Sequence, residues 1–408
     1  MFRRIVEILV SLFLIPFVYL PVISCLFIRK LTKGKAVFIT DSIYLRNQAK
    51  LKVRYFNIHY PFVRSLGLYP EVIKGKIGIT GVSIRSTEFF DSGLEQAKPG
   101  ILSIWFLRKL NKIDYDGRDA IDKEYLQNKS IKKDLLIVVK SLLAFSIKDE
   151  EGEVPERINL LGVNFRNLDM EEAVSLIEST VSDKRKESFF FMNPDCFNKL
   201  YTDAEYFEIM KKATNVFPDG SGVNMACKII GKTLKQNING TDMLPYLCGM
   251  AQAKGYGMFL LGAKPGVAEK MKKNLEQKYN EIIISGVQDG YFDRQTGNDE
   301  VIEKINNSGA KILLVAFGAP NQEKWIYTNL QKLDVHAAIG VGGLFDFYSG
   351  NMPRAPKWMR ELGIEWVFRL IKEPGRMWRR YIIGNPLFLQ RVRDWNKAIT
   401  GKKSESKN

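Results

Sequence analysis

Between residues 157 and 350, short apolar runs alternate with stretches of helical spacing, and the later runs end in glycine-rich or acidic turns. RINLLGVNF alternates like a strand, LDMEEAVSLIESTVSD has helical period with Asp169 placed to cap it, and ESFFFMNPD reads as a buried strand. The turns then follow in order: FPDGSG (Phe217 to Gly222), DGYF (Asp289 to Phe292), FGAPNQEKW (Phe317 to Trp325) and GVGGLFDFYSG (Gly340 to Gly350). Strand and helix taking turns in this way predict an α/β domain, with a Rossmann-like, mostly parallel sheet flanked by helices. Open sheets of this kind hold ligands outside the carboxyl ends of their strands, which is where these turns fall. No G-x-G-x-x-G fingerprint is present, so no dinucleotide cofactor is expected.

Charge narrows the partners. The chain of 408 residues carries 61 Lys and Arg against 45 Asp and Glu, a net charge of +16, which favours nucleic acid, acidic lipid or phosphorylated substrates. Four cysteines (Cys25, Cys196, Cys227, Cys248) form no C-x-x-C pair, which argues against a disulfide framework or zinc site and fits a reducing compartment. Of the two histidines, His336 lies in the apolar run VHAAIGVGG and reads as a packed residue rather than a base.

Residues 1–30 hold an apolar run from Ile5 to Ile28, broken by Pro16 and Pro21 and flanked by Arg3, Arg4, Arg29, Lys30, Lys33 and Lys35. Its length suffices for a membrane helix, and basic flanks on both sides favour a re-entrant hairpin over a kinked spanning helix. Either arrangement puts the bulk of the chain on the cytoplasmic side. The stretch KDEEGEVPER (Lys148 to Arg157) marks a boundary, giving an anchor at 1–30, a region at 31–150, an α/β domain at 151–352, a basic aromatic appendage at 353–400 and a polar tail at 401–408 expected to be disordered.

The ordered turns, with RAPKWMRELGIEWVFRL (Arg354 to Leu370) after them, resemble the WecG/TagA/CpsF family of glycosyltransferases (family 26) over roughly residues 157–380. That family transfers a sugar from a nucleotide-sugar to a lipid-diphosphate-linked acceptor at the membrane surface. The residues alone favour an aspartate in a tight turn that caps the next helix; the resemblance reverses this and implies Asp219 of the D-G turn as catalytic base. It also implies that Asn193, Gly262, Tyr291, Gln322, Glu323 and Asp346 bind a UDP-sugar donor, with Tyr291 and Asp346 at the uracil. Two positions depart from the family pattern: Phe191 stands where a threonine is usual, and Asn237 where an arginine is usual.

Residues 31–150 resemble a shortened bacterial sugar transferase of the kind that moves a phospho-sugar onto polyprenyl phosphate. The matching residues are KGKIGITGV (Lys74 to Val82) and then Asp122, Tyr125, Ser130, Asp134, Leu135, Ile137 and Lys140. Gly67 and Leu68, in SLGLYPEV, occupy the places of the nucleophilic carboxylate and its neighbour, and without that carboxylate no covalent phospho-sugar intermediate forms. The region therefore reads as a degenerate, non-catalytic membrane platform. Asp114-Tyr115-Asp116 is the chain's D-x-D, and it reads as a polar loop rather than a metal site.

From Arg354 to Arg393 aromatic and basic residues interleave, as in an interfacial helix facing anionic lipid. Single-stranded nucleic-acid binders share that composition, but no nucleic-acid module accompanies it here. By resemblance the appendage closes over the active site, and Arg354, Arg369, Arg376 and Arg379 would hold the acceptor diphosphate. The expectation is an inverting transferase on the cytoplasmic face of a bacterial cell membrane, without metal or other cofactor. It would move an N-acetylmannosamine-type hexosamine, or a hexose, from a UDP-sugar to a polyprenyl-diphosphate-linked saccharide of a surface or wall polymer. Two alternatives stay open, a bifunctional enzyme that also transfers phospho-sugar and a non-catalytic membrane scaffold. Assembly into a homo-oligomer is left open as well.

Overall fold

The computed structural model describes residues 19–405 apart from 35, 46–48, 59, 86–93, 95–96, 111, 114, 144–152 and 294–295. Most of the anchor expected at 1–30, Asp114 of the D-x-D and much of the expected linker lie outside the described residues. No described helix is long and apolar enough to cross a membrane. The chain divides into two compact units, one of residues 1–150 with 357–364, the other of 151–356 with 365–408.

In the first unit, the helix Leu20–Lys33 precedes an antiparallel pair, β1 (Phe38–Tyr44) and β2 (Lys50–Phe56). A parallel pair follows, β3 (Gly78–Thr80) and β4 (Gly100–Leu102), then the helices Ile104–Leu110, Gly117–Gln127 and Ile131–Leu143. Phe56, Leu68, Val72, Ile77, Val82, Ile121 and Tyr125 make a common apolar core. The motif residues of the sequence are taken up in packing. Asp122 accepts from the Ser83 backbone N–H at 2.8 Å and hydroxyl at 2.6 Å, and pairs with Arg85 at 2.8 Å. Tyr125 donates to Asp134 at 2.7 Å, and Lys140 pairs with Glu361 at 2.5 Å.

The second unit opens with a hairpin of β5 (Arg157–Leu160) and β6 (Val163–Arg166), turned by Leu161 and Gly162 at φ 51° and 89°. Asp169 caps the helix Met170–Ser182, accepting from the Glu172 N–H while Glu172 reaches back to the Asp169 N–H. Six parallel strands form the sheet: β7 (Glu187–Met192), β8 (Asn215–Pro218), β9 (Met258–Gly262), β10 (Ile284–Gln288), β11 (Ile312–Ala316) and β12 (Ala337–Gly340). Their order is β10-β9-β11-β12-β7-β8. β9 and β11 are buried throughout, as strands covered by helices on both faces must be. The chain leaves β9 for β10 on one side and β11 for β12 on the other, so these neighbours form a switch point whose carboxyl ends make a natural crevice.

Part of the C-terminal segment is taken up in packing against the second unit's own core. In the helix Gly384–Glu405, Phe388 and Val392 are fully buried, and Phe388 stacks on Phe197 at 5.4 Å. Arg391 donates to Asn198 Oδ1 at 2.8 Å, so neither Phe388 nor Arg391 is free for an interface. The helix also runs through residues 401–405, where the sequence suggested a disordered tail.

Candidate active site at the strand ends

Asp219 follows β8 directly. Its N–H donates to Met192 O at 2.9 Å, extending the β7–β8 pairing past the end of the strand and fixing where the carboxylate emerges. Gly220 next to it has φ 93°, a conformation strained for any side chain, and the helix Ser221–Ile229 starts immediately after. Asn193, at the end of β7, is the second element. Its Oδ1 accepts from the Asp195 and Cys196 N–H groups, capping the helix Pro194–Lys199, which leaves its amide facing Asp219 Oδ2 at 3.4 Å. A third brace comes from Asn237, whose Oδ1 accepts from the Gly220 N–H at 2.6 Å. The position that departs from the family pattern thus holds the Asp219–Gly220 turn.

Burial raises the Asp219 carboxyl above its ordinary range, while Arg369, Arg380 and the Asn193 amide pull it down and Asp242 pushes it up. Two guanidinium groups thus act electrostatically on a buried carboxylate. Asp242 accepts from Asn239 Nδ2 at 2.8 Å and pairs with Arg354 at 2.5 Å. Arg354, expected at the acceptor diphosphate, is committed to that ion pair. Arg369 lies over the Phe347 ring at 4.8 Å as well as facing Asp219, whereas Arg376 pairs with Glu373 on the surface and Arg379 is exposed. Arg380 was not singled out by sequence reasoning. It shares the π-type turn Arg379–Ile383 with Arg379 but is half-buried where Arg379 is exposed, and no local signal in the sequence announces that difference.

The residues expected at the donor are distributed along the same edge. Gly262 ends β9 at φ 126°, with an added Cβ falling 2.7 Å from the Ala316 backbone, so only glycine allows β9 and β11 to meet there. Tyr291 is exposed, beyond β10, its N–H on Asp289 Oδ1 at 2.8 Å. Asp346, in the helix Leu344–Tyr348, is half-buried; burial raises its carboxyl, and Arg376 and Lys264 act against that. Gln322 and Glu323 are buried. Gln322 Oε1 accepts from the Gly318 N–H at 3.1 Å and the Gly342 N–H at 2.9 Å, and its Nε2 donates to Glu323 at 2.9 Å. The departure at Phe191 is filled by packing, its ring 5.7 Å from that of Phe217. His336 precedes β12, at the opposite end of the strands. Among the described residues no group of three or more His, Cys, Asp or Glu could hold a metal ion.

Residues 158–402 match the model of the glycosyl transferase WecG/TagA/CpsF family. The chain belongs to that family. It is therefore a glycosyltransferase, and three relatives carry the same name, N-acetylglucosaminyldiphosphoundecaprenol N-acetyl-beta-D-mannosaminyltransferase. The protein of Bacillus subtilis strain 168 is 35% identical over 47% of this chain and 73% of its own length. That of Bacillus spizizenii is 34% identical over 54% and 84%, and that of Staphylococcus aureus strain MW2 is 28% identical over 61% and 97%. Family membership rests on the second unit, since the match begins at residue 158.

The first unit has a cavity of about 200 Å³ lined by Tyr55, Arg64, Ser65, Ser103, Trp105 and Phe106 among others, with no carboxylate in its wall. Gly67 is buried against β2, where an added Cβ would fall 2.7 Å from Phe56 N and 2.8 Å from Arg54 O.

Proposed function

We propose that this transferase moves an N-acetylmannosamine-type hexosamine, or a hexose, from a UDP-sugar to a polyprenyl-diphosphate-linked saccharide, with inversion at the anomeric carbon. The observation that carries this reading is the Asp219 carboxylate, braced by Asn193 and flanked by Arg369 and Arg380 at the strand ends. The names of the relatives supply the sugar and the acceptor class. Asp219 takes the proton of the acceptor hydroxyl as that oxygen bonds to the anomeric carbon. The bond from that carbon to the diphosphate oxygen breaks on the opposite face, and UDP leaves with the electron pair. Arg369 and Arg380 are suited to the acceptor diphosphate, since guanidinium forks pair with phosphate oxygens. Arg354 keeps Asp242 in place, and Arg376 and Arg379 extend the cationic surface.

We place the reaction on the cytoplasmic face of the cell membrane. Ile371, Trp378, Ile382 and Ile383 are exposed beside Lys372, Arg376 and Arg379, a surface suited to anionic lipid. The first unit is read as a non-catalytic platform, supported by the tight packing at Gly67 and the carboxylate-free cavity.

The test is transfer of radiolabel from a panel of UDP-sugars to polyprenyl-diphosphate-linked acceptors, wild type beside Asp219→Ala. Label in lipid with the wild type and its loss with the variant support both donor and base. Equal transfer by the two proteins would remove Asp219 as base, and no transfer from any donor would remove the reading itself.

A further inference from the structure

The family match begins at residue 158 and gives the first unit no task, yet that unit holds the cavity of about 200 Å³ described above. Its wall joins three parts of the chain: Tyr55 of β2, Arg64 and Ser65 of the helix Pro61–Ser65, and Ser103, Trp105 and Phe106 where the chain leaves β4. The Arg64 guanidinium stands over the Tyr55 ring, 5.6 Å from its centre. Ser65 donates to Phe62 O at 3.0 Å. Ser103 is buried, and its oxygen accepts from the Phe106 N–H at 3.1 Å, which leaves the hydroxyl proton to give. Burial pushes the Tyr55 hydroxyl up to about 12, with Asp41 adding to the rise and Arg64 opposing it, so it stays a neutral O–H near pH 7. Further cations gather on Trp105, where Arg118 lies 3.9 Å and Lys109 4.7 Å from the ring centre.

A guanidinium and a buried hydroxyl facing one small space, with no acid among the described lining residues, make a place for an anion. A planar guanidinium fork matches phosphate oxygens, and a hydroxyl completes such a contact. The aromatic part of the wall favours carbon attached to the anion over a bare hydrated ion. Size sets how much enters. Sites that enclose a whole small molecule hold roughly 300–1,000 Å³, so this smaller one takes only the end of a longer ligand. We propose that the cavity binds the phosphate end of a phosphate ester without a metal ion, with Arg64 and Ser103 on the oxygens and Trp105 and Phe106 against the adjoining carbon. Gly67, two residues past Ser65, is packed against backbone and adds no opposing charge. Two sources offer this chemistry, a prenyl phosphate lipid and a soluble phosphate. If the lipid is the source, the first unit holds an acceptor carrier on the same chain as the transferase and raises its local concentration, a use that rests on the acceptor reading given above.

The experiment is calorimetric binding of farnesyl phosphate, and separately of inorganic phosphate, to the full chain in detergent with EDTA present. Wild type is compared with Arg64→Ala, Arg64→Lys, Ser103→Ala and Arg380→Ala. Affinity for farnesyl phosphate is expected to fall roughly tenfold to a hundredfold in Arg64→Ala, the range of one hydrogen bond to a charged group. Arg64→Lys keeps the charge and recovers part of the loss, and Ser103→Ala weakens binding by roughly fivefold. Arg380→Ala lies in the second unit and leaves this binding as in the wild type. Thermal unfolding checks each fold, and Ser103→Ala, which removes a single oxygen, keeps the test valid if Arg64→Ala does not fold. Arg64 and Ser103 variants that bind like the wild type overturn the proposal, as does binding that needs an added divalent ion. Farnesyl phosphate binding roughly tenfold tighter than inorganic phosphate assigns the lipid source; equal affinities keep the phosphate site and remove the lipid. A wild type that binds through Arg64 yet transfers no label to lipid counts against the proposed function and not against this cavity.

Discussion

Asn193 turns its amide nitrogen to Asp219 Oδ2 at 3.4 Å because its own oxygen is held by the N–H groups of Asp195 and Cys196. One side chain therefore caps a helix and faces the proposed base, and the two tasks can be separated. Asn193→Ser keeps an N-capping oxygen but offers Asp219 no amide. Its thermal midpoint is expected to stay close to the wild type, while kcat falls roughly tenfold to a hundredfold, the value of one hydrogen bond to a charged group. A parallel loss of stability and activity would mean that the cap alone matters.

The acid limb of the rate profile follows from the same carboxylate. A base works only when ionised, so activity falls as pH drops through the Asp219 value. Burial lifts that value while Arg369 and Arg380 hold it down. Removing one cation by Arg380→Ala therefore moves the limb of kcat to higher pH, and Arg380→Lys restores most of it. The pH dependence of kcat in the three proteins decides this. An unmoved limb in the alanine variant would show that Arg380 does not act on the base.

The turn at Asp219 was legible in the sequence because an apolar run followed by Asp-Gly says strand end and positive φ, and Asp169 announced its helix by the Glu three residues on. Arg380 was not legible. It differs from the exposed Arg376 and Arg379 by its burial, and its electrostatic coupling to Asp219 joins parts of the chain far apart in sequence. The burial of Glu323 was hidden for a related reason: a G-x-P-x-Q-E turn does not say whether the helix it starts faces solvent or the sheet. In the first unit, glycine at 67 could be read as a missing carboxylate, but the closeness of β2 that excludes one is a tertiary fact.

That closeness has a measurable consequence. A Cβ at position 67 meets the Phe56 nitrogen at 2.7 Å and the Arg54 oxygen at 2.8 Å, and both belong to backbone that cannot rotate away. Gly67→Ala should destabilise the first unit by about 1–3 kcal/mol, as overpacking does. Gly67→Asp adds a buried charge and should be worse. Thermal unfolding of the full chain reports both, and a Gly67→Asp protein that unfolds like the wild type would reopen the case for a carboxylate at this position.

The strongest single-site loss of stability is expected at Glu361. Arg108 and Lys140 are both buried, and both depend on this carboxylate, Arg108 at 3.1 Å and Lys140 at 2.5 Å, across 253 and 221 residues of sequence. Arg108 keeps Glu124 at 2.8 Å when Glu361 is removed, but among the described residues Lys140 has no other acceptor. Truncation thus leaves a buried ammonium without compensation, and Glu361→Ala should cost about 3–5 kcal/mol. Replacing both ends, as Lys140→Met with Glu361→Gln, removes the stranded charge and should recover much of that loss. The check is a double-mutant cycle read by denaturant unfolding. If the double variant is no more stable than Glu361→Ala, the stranded Lys140 is not the cause.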